Sequence, residues 1–412
     1  MPPILFFTPD PPTALWQDKP QIARRLARRF AVVMAGPELH LPSLRSQHRA
    51  GHWRMADLRT APLTRLEDNL YRFTWSPLTA ATGAPILGDW TASARRKRWQ
   101  SALRQLAAAI SASTDHRSLI TDHRPILWLF RPGMLHFVDE FNPQLVIYHV
   151  VDEYSAYPGL SDEQRTLQRN LDRRLTERAD LVFCTARSLV EERQAINPNT
   201  HYMPNAVDFR AFQRELASAD ATPLDELPRP VLGVVGGINA KLDLELLAPV
   251  ARQRPDWTLA LVGPVSYGVS DADLASLRSL PNVHFTGPVA HEQVPAVIGE
   301  CDVCLIPYRL NEQTQHVNPL KVYEYLAGGK PVVATPLPEL AQFGNTVRLA
   351  GDAAGFIAAV EASLPETADP LAQATRRAVA AANTWDLRVA RMIELVDSAL
   401  RAAPQTPPND AW

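Results

Sequence analysis

The run HVNPLKVYEYLAGGKPVVAT at 316–335 carries the residues best suited to holding a phosphorylated ligand. Pro319 fits the first turn of a helix, whose free N–H groups and positive end attract a phosphate. Glu324 lies further along that helix, where a carboxylate can accept both hydroxyls of a ribose. Gly328 and Gly329 can end the helix in the left-handed conformation before Pro331, Val332 and Val333 open a strand. A second set stands at 232–241. Gly236 and Gly237 let the backbone approach a pyrophosphate, and Lys241 is either a cation for it or a surface lysine paired with Asp243 or Glu245. A third set, His149, Asp152 and Glu153, falls at the C-terminal end of an apolar strand, where ligands meet α/β sheets. Asp152, which ends that strand, is the candidate polar group for a second substrate. His149 is either part of the same chemistry or a satisfied core histidine.

These residues resemble the donor-binding motif of glycosyltransferases of the GT-B architecture, and most of all glycosyltransferase family 4. Glu324, Gly329, Pro331, Val332 and Val333 match its E-x7-E-A-x-A-x-G-x-P-V-V pattern. The resemblance implies that Glu324 holds the nucleotide ribose. Where the family has its first Glu, a contact to the donor sugar, this chain has His316. The backbone amides of Val317, Asn318, Leu320 and Lys321 are then the expected contacts to donor oxygens. The stretch 232–265 resembles the segment that opens the family's C-terminal domain, with Lys241 in the role of the diphosphate cation. The family's Arg is absent because Gly237 stands there, so one cation is expected to do the work of two. Gly263 matches a strand-end glycine, and Val289 falls where a backbone group holds the base. MPNAVDFRAF at 203–212 resembles the family's inter-domain connection. Trp16, Pro20 and Gln21 resemble the entry of a bacterial polysaccharide, teichuronic-acid-type subgroup, with Lys19 in place of Arg.

The resemblance implies transfer of a hexosyl-type unit from a nucleotide sugar, UDP-linked or GDP-linked, to a glycan or lipid-linked acceptor, with retention, in cell-surface polysaccharide synthesis. The leaving diphosphate is expected to be met by Lys241, Gly237 and the helix N-terminus. No metal and no cofactor beyond the nucleotide-sugar co-substrate is expected. The sequence offers no D-x-D run suited to a metal–diphosphate clamp, since DAD at 271–273 reads as the approach to a helix. Asp152, His149 and Lys241 are the catalytic candidates. Two alternatives stay open: a nucleotide-sugar-binding protein without transferase activity, suggested by His316, and a nucleotide-sugar epimerase.

Such residues need a frame, and the chain supplies one twice. Short β-rich runs alternate with helical stretches, which predicts two doubly wound, Rossmann-like α/β domains facing a central cleft. The expected strands are 4–8, 30–36, 70–75, 125–130, 145–151 and 180–186, then 229–238, 259–265, 283–289, 302–308, 331–335 and 346–350. Residues 1–205 are read as the acceptor domain, 206–384 as the nucleotide-sugar domain, and 403–412 as a tail. A helix at about 385–402 is expected to pack back on the first domain.

The 412 residues, 46% apolar and 21% charged, exclude a disordered chain. Net charge is −2, yet residues 1–150 hold 19 Lys+Arg against 11 Asp+Glu. That excess includes Arg95, Arg96, Lys97 and Arg98 in a helix at 91–110, which either meets an anionic membrane or packs through Leu103, Leu106 and Ile110. Three cysteines imply no disulfide framework, and Cys301 and Cys304 read as core. With no signal peptide and no spanning run, a cytoplasmic protein is expected, possible contact being with the inner face of the plasma membrane; no nucleic-acid partner is expected.

Overall fold

Runs such as Ile4–Phe7, Ile126–Leu129 and Leu145–Val150 are buried on both faces, as strands covered by helices on each side must be. The computed structural model describes residues 1–8, 18–36, 39, 44–49, 61–77, 85–111, 124–216, 221–266 and 268–402. Trp16, the two TDHR runs except Arg124, and the tail 403–412 lie outside the described residues.

The first sheet contains β1 (Ile4–Phe7), β2 (Val32–Ala35), β3 (Leu63–Glu67), β4 (Leu70–Phe73), β5 (Ile126–Leu129), β6 (Leu145–Val150), β7 (Leu181–Cys184) and β8 (Thr200–Tyr202). Their order is β3-β4-β2-β1-β5-β6-β7-β8, parallel except for the β3–β4 hairpin. The second sheet contains β9 (Val231–Val235), β10 (Thr258–Val262), β11 (Val283–Gly287), β12 (Val303–Ile306), β13 (Val332–Ala334) and β14 (Val347–Leu349). Its order, β11-β10-β9-β12-β13-β14, reverses direction beside β9. That reversal opens the crevice in which doubly wound sheets bind ligands. All twelve expected strands are present, each one to five residues shorter than its apolar run. The polar edge strand β3 and the three-residue β8 lack such a run.

The connection between sheets runs from residue 203 to residue 230 and carries a helix. Val207 bridges Thr384, and the helix Phe209–Leu216 follows at once. Asp208 caps that helix through the Ala211 N–H at 3.1 Å and pairs with Arg25 at 2.9 Å. The helix Trp385–Ala402 returns to the first sheet. Trp385, Val389, Met392 and Val396 are buried in one core with Ile4, Ile22, Leu26 and Phe30.

In the helix Pro85–Ser111 the basic cluster is split. Arg95 turns inward to Glu140 at 3.3 Å, and Arg98 donates to the Thr74 carbonyl at 2.9 Å. Trp99 stacks on Phe73 with centroids 3.7 Å apart. Arg96, Lys97 and Arg104 stay exposed. Cys301 and Cys304 are free and buried, as a core pair should be. Among the described residues no helix is long and apolar enough to cross a membrane.

Candidate functional site

Three glycines let the strand ends of the second sheet approach one another. Gly236 has φ 122° and donates to the Val262 carbonyl at 2.7 Å. Gly263 has φ 145° and donates to the Gly287 carbonyl at 2.9 Å. A Cβ on Gly263 would overlap the Gly236 carbonyl oxygen, so the turn admits no side chain there. Val289 packs half-buried on the same core.

The helix Leu320–Ala327 stands over this turn. Val322, Tyr323, Tyr325, Leu326 and Ala327 are its buried residues. The Tyr325 hydroxyl accepts from the Val235 N–H at 3.0 Å, tying the helix to the end of β9. Pro319 proves to be the N-cap rather than the first helical residue. Of the pair Gly328 and Gly329, it is Gly329 that takes the left-handed conformation, at φ 73°. Leu320 and Lys321 open the helix, where amides lack intrahelical acceptors. The Val317 amide already donates to the Thr314 carbonyl at 3.2 Å, which corrects its reading as a free donor.

Lys321 and Glu324 lie one turn apart on this helix. The Lys321 ammonium is aimed at Gly236: a Cβ there would stand 2.6 Å from Nζ. Burial lowers the Lys321 pKa to about 8, with Glu324 pulling it up and Lys241 pushing it down. Burial raises Glu324 to about 7, against the pull of Lys321.

Lys241 leaves the same turn in the other direction. Its backbone is fixed by the Asn239 side chain at 3.0 Å and by the Arg309 N–H at 2.8 Å. Its side chain crosses to the first domain and meets Asp152 Oδ1 at 3.1 Å. Asp243 instead caps a helix through the Leu246 N–H, and Glu245 faces Arg309 at 3.7 Å. Asp152 also accepts from the Tyr157 hydroxyl at 2.8 Å. Burial and that carboxylate push the Tyr157 pKa upward, so the phenol keeps its proton. Glu153 is spent on structure, pairing with buried Arg193 at 2.9 Å.

His149 is enclosed in the core, and its buried Nε2 has no hydrogen-bond partner among the described residues. It is 1% exposed, stacked on Phe130, and its Nδ1 accepts from Trp128 Nε1 at 3.4 Å. Burial lowers its pKa to about 3, so the ring is neutral. This placement removes it from the groups facing the cleft and corrects its reading as catalytic.

Other residues close the cleft. His316 Nδ1 lies 2.9 Å from Ser188 Oγ of the first domain. Asn318 is 3% exposed, and its main-chain and side-chain oxygens accept from Asn205 at 2.7 and 3.2 Å. Glu339, 3% exposed, accepts from the Arg187 N–H at 2.6 Å, the Tyr202 hydroxyl at 2.6 Å and the Asn318 amide at 3.2 Å. Nothing in the sequence marks Glu339 or Ser188, because their partners are distant in the chain. A cavity of about 430 Å³ also lies between the domains, lined by Ala156, Pro158, Ala240, Val269, Arg309 and Gln313 among others. Ala240 adjoins Lys241, whereas Glu324 and Lys321 do not line this cavity.

Residues 229–365, which contain every second-domain site residue, match the family described as Glycosyl transferases group 1. TuaH of Bacillus subtilis (strain 168), a candidate teichuronic acid biosynthesis glycosyltransferase, is 32% identical over 276 residues, 64% of this chain and 69% of that protein. Among solved structures, a sucrose-phosphate synthase from Thermosynechococcus elongatus superposes with a TM-score of 0.67 at 17% identity, covering 98% of this chain and all of that one. Anabaena HepE, determined with UDP and glucose, gives 0.62 at 15% identity, covering 97% of this chain and all of that one. At these identities both describe the fold, which is the GT-B arrangement of two Rossmann-like domains.

Proposed function

This chain belongs to the group 1 glycosyl transferases, and from that premise we propose that it moves a hexosyl unit from a UDP-sugar to a glycan or lipid-linked acceptor, with retention at the anomeric carbon, in cell-surface polysaccharide synthesis. The observation that carries the donor side is the convergence of Gly236, Gly237, Lys241 and the helix Leu320–Ala327 at the end of β9, with Glu324 one turn along that helix. The identity with TuaH supports the polysaccharide setting, and the UDP-bound HepE structure, which shares the fold, is the reason to try uridine nucleotides first.

In this reading Glu324 accepts the ribose hydroxyls. Negative charge grows on the leaving diphosphate as the glycosidic bond lengthens. The Gly237 amide, the Lys241 ammonium and the first amides of the helix stabilise it without rearranging during the reaction. The charge is met by side chains and amides, and the reading calls for no divalent ion. On donor binding Asp152 has already lost Lys241 to the diphosphate and keeps Tyr157. Its freed oxygen is the group we assign to the acceptor hydroxyl. The cavity beside Lys241 is where we place the acceptor. Val269→Trp should fill it, raising acceptor KM while leaving UDP affinity unchanged; an unchanged KM would move the acceptor elsewhere.

Membrane contact, in this reading, rests on the exposed Arg96, Lys97 and Arg104, and sedimentation with anionic vesicles tests it. A thermal-shift screen over UDP, GDP, ADP and their sugars tests the donor side. UDP and one UDP-sugar should raise Tm. If no nucleoside diphosphate did so at millimolar concentration, the reading would fail. Binding without turnover is the second reading, favoured by His316, whose imidazole is engaged by Ser188.

A further inference from the structure

We infer that the side chain of Lys321 is a second diphosphate-binding cation, working across the Gly236 turn from Lys241. The inference rests on the donor reading above and adds to it a residue whose backbone alone was expected to serve.

Three observations carry it. First, the Lys321 ammonium is buried and has no hydrogen-bond acceptor. A buried, unpaired ammonium costs stability, and a fold that keeps one needs an anion to meet it. Second, the ammonium is aimed at a defined place. It lies against the Cα of Gly236, where a Cβ would be 2.6 Å from Nζ and 2.7 Å from Cε. Gly236 is therefore small for two reasons, its φ of 122° and the need to admit this side chain. Third, the turn carries a second lysine. Lys241 lies close enough to disfavour the charge on Lys321. Two ammonium groups delivered to one turn by different elements repel each other until an anion lies between them.

The resident carboxylates do not fill that role. Asp152 pairs with Lys241 and not with Lys321. Glu324 acts on Lys321 through its field, one helical turn away, without an ion-pair contact. The chemistry that satisfies both lysines is a ligand with two linked anionic groups, one for each ammonium, next to the helix's first amides. A nucleoside diphosphate has that form and a monophosphate does not. Its binding would give Lys321 its partner and draw Lys241 away from Asp152.

The test is calorimetric titration of the full chain with UDP, UMP and uridine, with melting curves on each ligand-free variant. Lys321→Met should weaken UDP by about 10- to 100-fold, the worth of one or two charge-assisted hydrogen bonds. Uridine affinity should stay within about twofold, since the nucleoside lies outside the reach assigned to Lys321. The ligand-free variant should melt at or above the wild-type temperature, because an unpaired buried charge has been removed. A purely structural lysine would instead lower Tm and weaken uridine and UDP alike. Lys321→Gln gives the same readout should the Met variant fold poorly. Unchanged UDP affinity in either variant overturns the inference. A wild-type protein that bound no UDP would bring down the donor reading itself, a distinguishable failure.

Discussion

Asp152 and Lys241 come from different domains, 89 residues apart in the chain, and their side chains meet at 3.1 Å. Both are largely buried, with 17% and 15% of their side-chain surface exposed, so each shields the other from the cost of isolation. The pair spans the cleft that substrates must enter, so a ligand anion and Asp152 compete for one ammonium.

That competition gives the first expected outcome. Asp152→Asn should tighten UDP by a few-fold, roughly the worth of a partly buried ion pair released to the ligand. Transfer to an acceptor should fall at the same time. Titration calorimetry and a turnover assay read the two arms. UDP affinity that dropped with turnover would mean Asp152 assists donor binding.

Glu324→Ala should weaken UDP and uridine together, by about 10-fold or more, since a carboxylate bridging two ribose hydroxyls is indifferent to the phosphates. The fold should survive, as the half-buried carboxylate accepts from no protein donor among the described residues that the change would strand. Nucleoside affinity equal to wild type would remove Glu324 from the site.

The pair Lys321–Glu324 also predicts a pH signature. Burial raises Glu324 from 4.5 to about 7. Between those values the unfolded chain gives up its proton first, so stability falls as pH rises. Burial lowers Lys321 from 10.5 to about 8. Between about 8 and 10.5 the unfolded chain binds the extra proton, so stability rises with pH. The pair therefore lowers ligand-free stability most between about 7 and about 8. Melting temperatures across pH, compared with a Glu324→Gln/Lys321→Met double variant, should show that dip in the wild type only.

Glu339→Ala should lower Tm by several degrees, because three donors lose a buried acceptor at about 1–3 kcal/mol each. Small-angle scattering of the ligand-free variant should report a larger radius as the domains part. An unchanged radius would show that the remaining cleft contacts suffice.

Activity should be the same with and without EDTA once the donor is identified. Loss of turnover that Mg²⁺ restores would require a metal in the diphosphate site.

The legible parts of the molecule are the local ones. Strands such as Leu145–Val150 could be read because burial on both faces leaves a continuous apolar run. The donor helix was legible because Pro319, Glu324 and Gly329 fall within a dozen residues of one another. What joins the domains was not. His316 meets Ser188 and Glu339 meets Arg187 only after two sheets have folded and faced each other. The amide of Lys321 is legible within the motif, whereas the aim of its side chain at Gly236 exists only once the helix has packed on the end of β9. A histidine at a strand end, as His149 is, looks the same in sequence whether it faces a cleft or a Trp–Phe pocket.

The returning helix Trp385–Ala402 bears on how the protein is made. Its buried face fills the core between Ile4 and Phe30 on one side and Phe183 on another. During synthesis the first sheet is complete long before these side chains exist, so its apolar groove stays open while the second domain folds. Assembly of the two domains is thereby tied together in time. A ribosome stalled before Trp385 would present to chaperones the face of the first sheet that carries Ile4 and Phe6, whereas Leu5 and Phe7 already lie in the opposite core.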